Sequence, residues 1–139
     1  MAQQIELRIS SDPRWLRMVR VIMQEIARQA GFPDGERGEI TLAVDEALAN
    51  VIKHAYRGDP NGTVLLSCEA EEGRLEIELR DRGLAFDPGR LVEKAPDELR
   101  VGGRGLFLMR ATMDEVHFER NGDTNLVRLR KSVKAPTRE

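Results

Sequence analysis

The chain has 139 residues, with 22 Lys and Arg against 24 Asp and Glu, one cysteine and six aromatic side chains. That is the length of a single domain, which buries roughly two-thirds of its unfolded surface and folds without staples. The formal charge of −2 excludes an electrostatically driven nucleic-acid binder, and Cys68 has no second thiol with which to form a disulfide or a metal-ligand pair. No apolar run approaches the ~20 residues that span a bilayer, and Met1 to Ser10 lacks the apolar core of a secretory leader. Composition therefore predicts a soluble, reduced, cytoplasmic domain over residues 1–134 with a frayed tail at 135–139, and no direct contact with nucleic acid or membrane.

In chain order, Ile5, Leu7 and Ile9 alternate with Glu6 and Arg8, which predicts a half-buried strand over Gln4 to Ile9. Ser10-Ser11-Asp12-Pro13 is a helix-start signal, and Leu16, Val19, Ile22, Met23, Ile26, Ala27 and Ala30 follow at helical spacing up to a C-terminal glycine, Gly31. Phe32 to Gly38 reads as a loop. A second helix is expected from about Glu39 to Tyr56, stopped by Gly58 and Pro60, with Tyr56 taken as packing. Thr63 to Ala70 and Arg74 to Arg80 read as strands joined tightly through Glu71-Glu72-Gly73. Asp81 to Gly103 is long, rich in Gly and Pro and poor in apolar pattern; inside a compact domain such a loop is functional or disordered. A third helix is expected from near Arg104. Val116 to Glu119 and Thr124 to Val133 then form a hairpin across Asn121-Gly122. The order β-α-α-β-β-loop-α-β-β predicts an α+β two-layer sandwich, a mixed, mostly antiparallel sheet covered by three helices.

The second helix is unusual. Ile40, Val44, Ala47, Leu48, Val51, Ile52 and Ala55 fall on one stripe at 100° per residue, the core face. The opposite side, which ought to be solvated, carries Leu42, Ala43 and Ala49 around Glu46, Asn50, Lys53 and His54. Glu46 and Asn50 share a face. They are either two satisfied polar groups on a thinly covered face or part of a pocket wall.

Five of the twelve glycines lie between Gly83 and Gly105. One cluster follows a strand directly, Asp81-Arg82-Gly83-Leu84-Ala85-Phe86-Asp87-Pro88-Gly89; the other, Gly102-Gly103-Arg104-Gly105, precedes a helix. A glycine turn feeding a helix N-terminus presents free N–H groups and a positive dipole end, which suits phosphate. There is no Walker A loop and no βαβ dinucleotide fingerprint. A buried Asp81 at a strand end could accept a hydrogen bond from an exocyclic amine such as that of adenine, or serve as a cap.

Together these segments resemble a known family across essentially the whole chain. Asp45-Glu46-Ala47-Leu48-Ala49-Asn50-Val51-Ile52-Lys53-His54-Ala55-Tyr56 resembles the N box of the GHKL (Bergerat-type) ATPase superfamily, in particular its anti-sigma-factor serine/threonine-kinase branch of the RsbW/SpoIIAB type. Asp81-Arg82-Gly83 with Phe86-Asp87-Pro88 resembles that branch's G1 box. Gly102 to Arg110, continued by Met113-Asp114-Glu115-Val116, resembles its G2 box. The match departs at Ala85, where many of these ATPases carry a second glycine.

The resemblance implies roles by position. Glu46 matches the general base, Asn50 the Mg²⁺ ligand that bridges metal and phosphates, Asp81 the adenine-binding carboxylate and Gly83 the glycine that lets the base approach. Gly103 and Gly105 match the phosphate-binding turn, and Phe86, Gly102, Arg104 and Leu106 lie in the nucleotide-binding boxes. Arg90 to Val101 would be a short ATP lid; Lys53, His54, Arg100 and Arg104 have no firm role. The implied cofactors are ATP and Mg²⁺. The implied activity is that of a serine/threonine kinase and anti-sigma factor in a partner-switching circuit. Its substrate would be a STAS-domain anti-sigma-factor antagonist, its sequestered partner a sigma factor, and its state a homodimer. With no phosphoacceptor-histidine helix ahead of the domain, a sensor kinase is not expected. The alternatives are a nucleotide-dependent module that sequesters a different regulator, and an interaction domain with a vestigial ATP site.

Overall fold

The computed structural model describes residues 2–85 and 101–134, with backbone alone for residues 101–104. Five strands, β1 (Gln3–Ser10), β2 (Thr63–Glu71), β3 (Arg74–Asp81), β4 (Glu115–Asn121) and β5 (Thr124–Ser132), form one sheet in the order β1-β2-β3-β5-β4. Each neighbouring pair is antiparallel, so the sheet is wholly antiparallel among the described residues rather than mixed. The β4–β5 hairpin docks through β5 against β3, leaving β4 at one edge and β1 at the other.

One face of the sheet is covered by α1 (Leu16–Gln29), α2 (Asp34–Asn50) and α3 (Val101–Thr112). Residues pointing inward from the strands, among them Leu66, Leu75, Ile77, Leu79 and Leu129, are at most 1% exposed and meet Met23, Ile40, Leu48, Leu106 and Met109 from the helices. The other face carries cross-strand ion pairs. Glu78 lies opposite Arg128 and Glu76 opposite Arg130, with N–O separations of 2.8 and 3.1 Å, and Arg130 also reaches Glu115 at 3.0 Å. Such half-wet pairs keep the outer face polar more than they stabilise it.

The first helix is entered as expected. Asp12 caps a short 3₁₀ turn by accepting the Arg14 N–H at 2.9 Å, and Gly31 exits α1 at φ +92°. Helix α2 starts five residues earlier than its apolar pattern suggests, at Asp34 instead of Glu39, so Gly35 and Gly38 are helical. The cause is Pro33, an extended residue at the N-cap whose carbonyl accepts the Arg37 N–H at 2.9 Å, with Asp34 and Glu36 placed favourably at the positive end of the helix dipole. Helix α3 likewise starts at Val101 instead of near Arg104, which puts Gly102 and Gly103 inside its first turn. The expected pocket side of α2 is only partly covered: where the helix packs between α1 and α3, Ala43 is fully buried and Asn50 is 7% exposed, whereas Leu42 is exposed, as are Lys53 and His54 beyond its end.

After Asn50 the helix widens into a π turn over Val51–Ala55, closed by the Tyr56 N–H on the Val51 carbonyl at 3.1 Å. Tyr56 does more than pack. Its hydroxyl donates to the Thr63 carbonyl at 2.6 Å and accepts the Arg82 N–H at 3.0 Å, and its ring lies where any side chain at residue 62 would sit, which explains Gly62. Among the described residues no helix is long and apolar enough to cross a membrane.

Candidate functional site

The end of the core between α2 and strands β3, β5 and β4 is not filled. A cavity of about 130 Å³ opens there, lined by Ala47, Asn50 and Ala55 from the helix side and by Asp81, Asn125 and Val127 from the sheet, with Arg120 at its edge. Glu119 also reaches its lining, and the remaining walls are apolar, the character of a small-molecule site.

Asp81, 5% exposed, is the last inward-facing residue of β3. Its Oδ1 accepts the Gly83 N–H at 2.9 Å and Asn125 Nδ2 at 2.8 Å. Burial pushes its carboxyl above the ordinary carboxylate range, while these two hydrogen bonds and the charge of Arg120 act in the opposite sense. The following turn is tied to the π turn after α2 by the Leu84 N–H, which donates to the Ala55 carbonyl at 2.8 Å. A Cβ on Gly83 would lie 2.5 Å from that same carbonyl, so only glycine lets the turn pass this close.

Asn50 enters the cavity from the last turn of α2, with its Nδ2 buried and without a hydrogen-bond partner. A buried amide in this state calls for a ligand, and a carboxamide can turn either its oxygen or its nitrogen to one. An amide oxygen is a hard donor, so Asn50 fits a divalent cation accompanied by phosphate oxygens and water.

Glu46, one helical turn before Asn50, does not line this cavity; its carboxylate lies against Gly105 of α3, in the space a side chain there would take. Gly105 thus brings α3 onto the expected base. Gly102, Gly103 and Arg104 are in the first turn of α3, and Leu106 is a core residue, 1% exposed. Phe86, with Asp87, Pro88, Arg100 and most of the expected lid, lies outside the described residues, as does the tail.

Two polar residues of this site went unnoticed in the sequence, Asn125 and Arg120. Arg120 donates through Nη1 to Asn125 Oδ1 at 3.0 Å and to the Gly83 carbonyl at 2.9 Å. The available signal was the alternation of β5: Asn125 is a polar residue on the face that also carries Val127 and Leu129.

An antiparallel sheet backed by three helices, with a buried carboxylate and a carboxamide facing one cavity, is the arrangement of an ATP-binding sandwich. Residues 9–131 match the family model of the histidine kinase-like ATPase domain, and the chain belongs to that family. It is similar to the serine-protein kinases RsbW of Bacillus subtilis (strain 168), 32% identical over 85% of this chain and 79% of the relative, and of Bacillus licheniformis, 35% identical over the same shares. The RsbW of Listeria innocua is 33% identical over 84% of this chain and 79% of its own. Among solved structures, the RsbU and RsbW domains of Rv1364c from Mycobacterium tuberculosis share the fold at a TM-score of 0.71 and 18% identity, covering 98% of this chain and 34% of that one. The catalytic domain of histidine kinase ThkA shares it at 0.55 and 16% identity, covering 92% and 95%. Within the family the chain is of the RsbW type, an ATP-using protein serine/threonine kinase.

Proposed function

We propose that this kinase is an anti-sigma factor in a partner-switching circuit, that it phosphorylates a STAS-domain anti-sigma-factor antagonist on serine or threonine, and that it otherwise sequesters a sigma factor, acting as a cytoplasmic homodimer. The observation that supports its chemistry best is the single cavity into which Asp81 and Asn50 both face, with Glu46 one turn away on the same helix. The partners rest on the likeness to RsbW and on no residue of the site.

In this reading the adenine enters the cavity with its exocyclic amine on Asp81, beside the turn that Gly83 lets pass against the Ala55 carbonyl. Asn50 would hold Mg²⁺, which when bound neutralises phosphate charge. The N-terminal turn of α3 presents N–H groups to the phosphates. Glu46 takes the proton of the attacking hydroxyl as its oxygen bonds to the γ-phosphorus and the bond to the β-phosphate oxygen breaks, giving ADP and a phosphoprotein.

The first test is calorimetry of ATP and ADP binding, with and without Mg²⁺, on the wild type and Asp81→Asn. Mg²⁺-dependent binding that collapses in the variant is expected. A well-folded wild type that binds neither nucleotide would leave only an interaction domain. The sigma-factor assignment is checked separately: added protein should repress transcription from a sigma-dependent promoter, and a pull-down that recovers a different regulator would refute it.

A further inference from the structure

Three polar residues stand opposite one another at the pocket end of the sheet's inner face: Arg120 on β4 pairs with Asn125 on β5, which pairs with Asp81 on β3. The next inward row, Phe118, Val127 and Leu79, is apolar. The polar row is directional. A guanidinium only donates, so the Asn125 carboxamide must turn its oxygen to Arg120, 3.0 Å away, and its nitrogen to Asp81. Both Nδ2 hydrogens are used, one on Asp81 Oδ1 at 2.8 Å and one on the Leu84 carbonyl at 2.8 Å. Arg120 is itself held, its Nε donating to the Gly122 carbonyl at 3.0 Å and its Nη1 also to Gly83 at 2.9 Å. Asp81 Oδ1 thus receives two donors, from Asn125 and Gly83, and Oδ2 is the oxygen left to an occupant of the cavity.

We propose that Arg120 and Asn125 are base-selectivity residues: Arg120, together with the Leu84 carbonyl, fixes the carboxamide with its nitrogen towards Asp81, which holds the carboxylate as a pure acceptor, so the site takes a purine with a 6-amino group and refuses a 6-oxo purine. The inference rests on the reading that this cavity holds the nucleobase. A carboxamide turned the other way would set its oxygen against both Asp81 Oδ1 and the Leu84 carbonyl; without the Asn125 donor, Asp81 could take up a proton, become a donor itself and then welcome a 6-oxo base. Neither residue needs to touch the base. They are positioning residues acting through Asp81.

A merely structural tie between β3, β4 and the Gly83 turn would, when cut, weaken every nucleotide alike. The decisive quantity is therefore the ratio of the Kd values for ITP and ATP, which differ at the 6-substituent, measured by calorimetry with Mg²⁺ on the full chain. The wild type is expected to prefer ATP by at least about 10-fold, the loss typical of a buried polar group facing a mismatched partner. Asn125→Leu should bring the ratio to within about 2-fold; Arg120→Met, which leaves the Leu84 carbonyl in place, should lower it part of the way, and Arg120→Lys, which keeps a charged donor, should hold it nearer the wild type. If Arg120→Met weakens ATP and ITP equally, leaving the ratio unchanged, the proposal is wrong. Should Asn125→Leu fail to fold, the exposed Arg120 decides alone. A wild type that binds both nucleotides without preference overturns this inference and leaves the nucleotide site standing; one that binds neither overturns both.

Discussion

Glu46 and Asn50 sit one helical turn apart on α2, yet they meet different neighbours, and the roles proposed for them differ accordingly. Glu46 faces Gly105, whereas Asn50 faces the cavity with an unpartnered amide nitrogen. Glu46→Ala should lower phosphotransfer by about 10²- to 10⁴-fold, the usual contribution of a general base, with ATP affinity kept. Asn50→Ala should weaken both. Near-normal transfer by Glu46→Ala in a single-turnover assay would remove it as the base. At Asp81 the proposed function is set against stability. Because burial raises its folded pKa above the unfolded value, the folded state binds the extra proton, so this group's contribution to stability is full below the unfolded pKa and is lost as pH rises through the folded one. Asp81→Asn, which can still accept from Gly83 and Asn125, should therefore melt higher than the wild type at pH 7, and the difference should shrink as pH falls through the carboxylate range. Parallel melting curves at all pH values would contradict this.

At the scale of elements, two glycines that look alike in sequence are constrained by different neighbours. A Cβ at Gly83 meets backbone, the Ala55 carbonyl at 2.5 Å, and that carbonyl already holds the Leu84 N–H. Gly83→Ala must therefore part the β3 turn from the π turn, at a cost of about 1–3 kcal/mol in urea denaturation. At Gly105 the obstacle is the Glu46 carboxylate, the far end of a flexible side chain that can swing aside. Gly105→Ala also gains helix propensity, about 1 kcal/mol, so the fold should be unharmed while kcat drops through displacement of the proposed base. Equal damage to stability by both substitutions would overturn the contrast. The π turn belongs to this scale as well: following Asn50 directly, it offers the Ala55 carbonyl to the loop after Asp81.

Across the whole molecule the site lies at one end of the core and a second polar anchor at the other. Lys131, inward-facing on β5 and 3% exposed, donates to the Thr112 carbonyl at the end of α3 at 2.6 Å and lies 3.6 Å from Glu39 of α2. It joins the sheet and two helices far from the cavity. Lys131→Met keeps the packing of the stem but leaves the Thr112 carbonyl without this donor, so a loss of about 1–3 kcal/mol is expected. A change below about 0.5 kcal/mol in urea denaturation would show that the anchor is dispensable. Because this residue sits at the far end of β5 from Asn125, ATP affinity should not follow the loss.

Much of this was legible from residue order. Alternation in β1, β3 and β5, the heptad-like stripe on α1 and the glycines at turns act locally, through backbone geometry and burial of one face, so five strands and three helices could be read from the sequence. Glu46, Asn50, Asp81 and Gly83 stood out as candidates because they sit in contiguous motifs, and of these the structure brings Asn50 and Asp81 to one cavity. The start of α2 at Asp34 was obscured because Gly35 and Gly38 lower helix propensity there, while the capping geometry of Pro33 overrides them. What only the tertiary structure decided was which residues meet. Arg120, Asn125 and Asp81 form one row because β5 lies between β3 and β4, an order no local pattern fixes, and Asn50 lost its solvent only when α2 was packed between its neighbours. Propensity and periodicity are properties of a segment. Strand order, and the burial that turns a polar side chain into a binding group, belong to the packed chain.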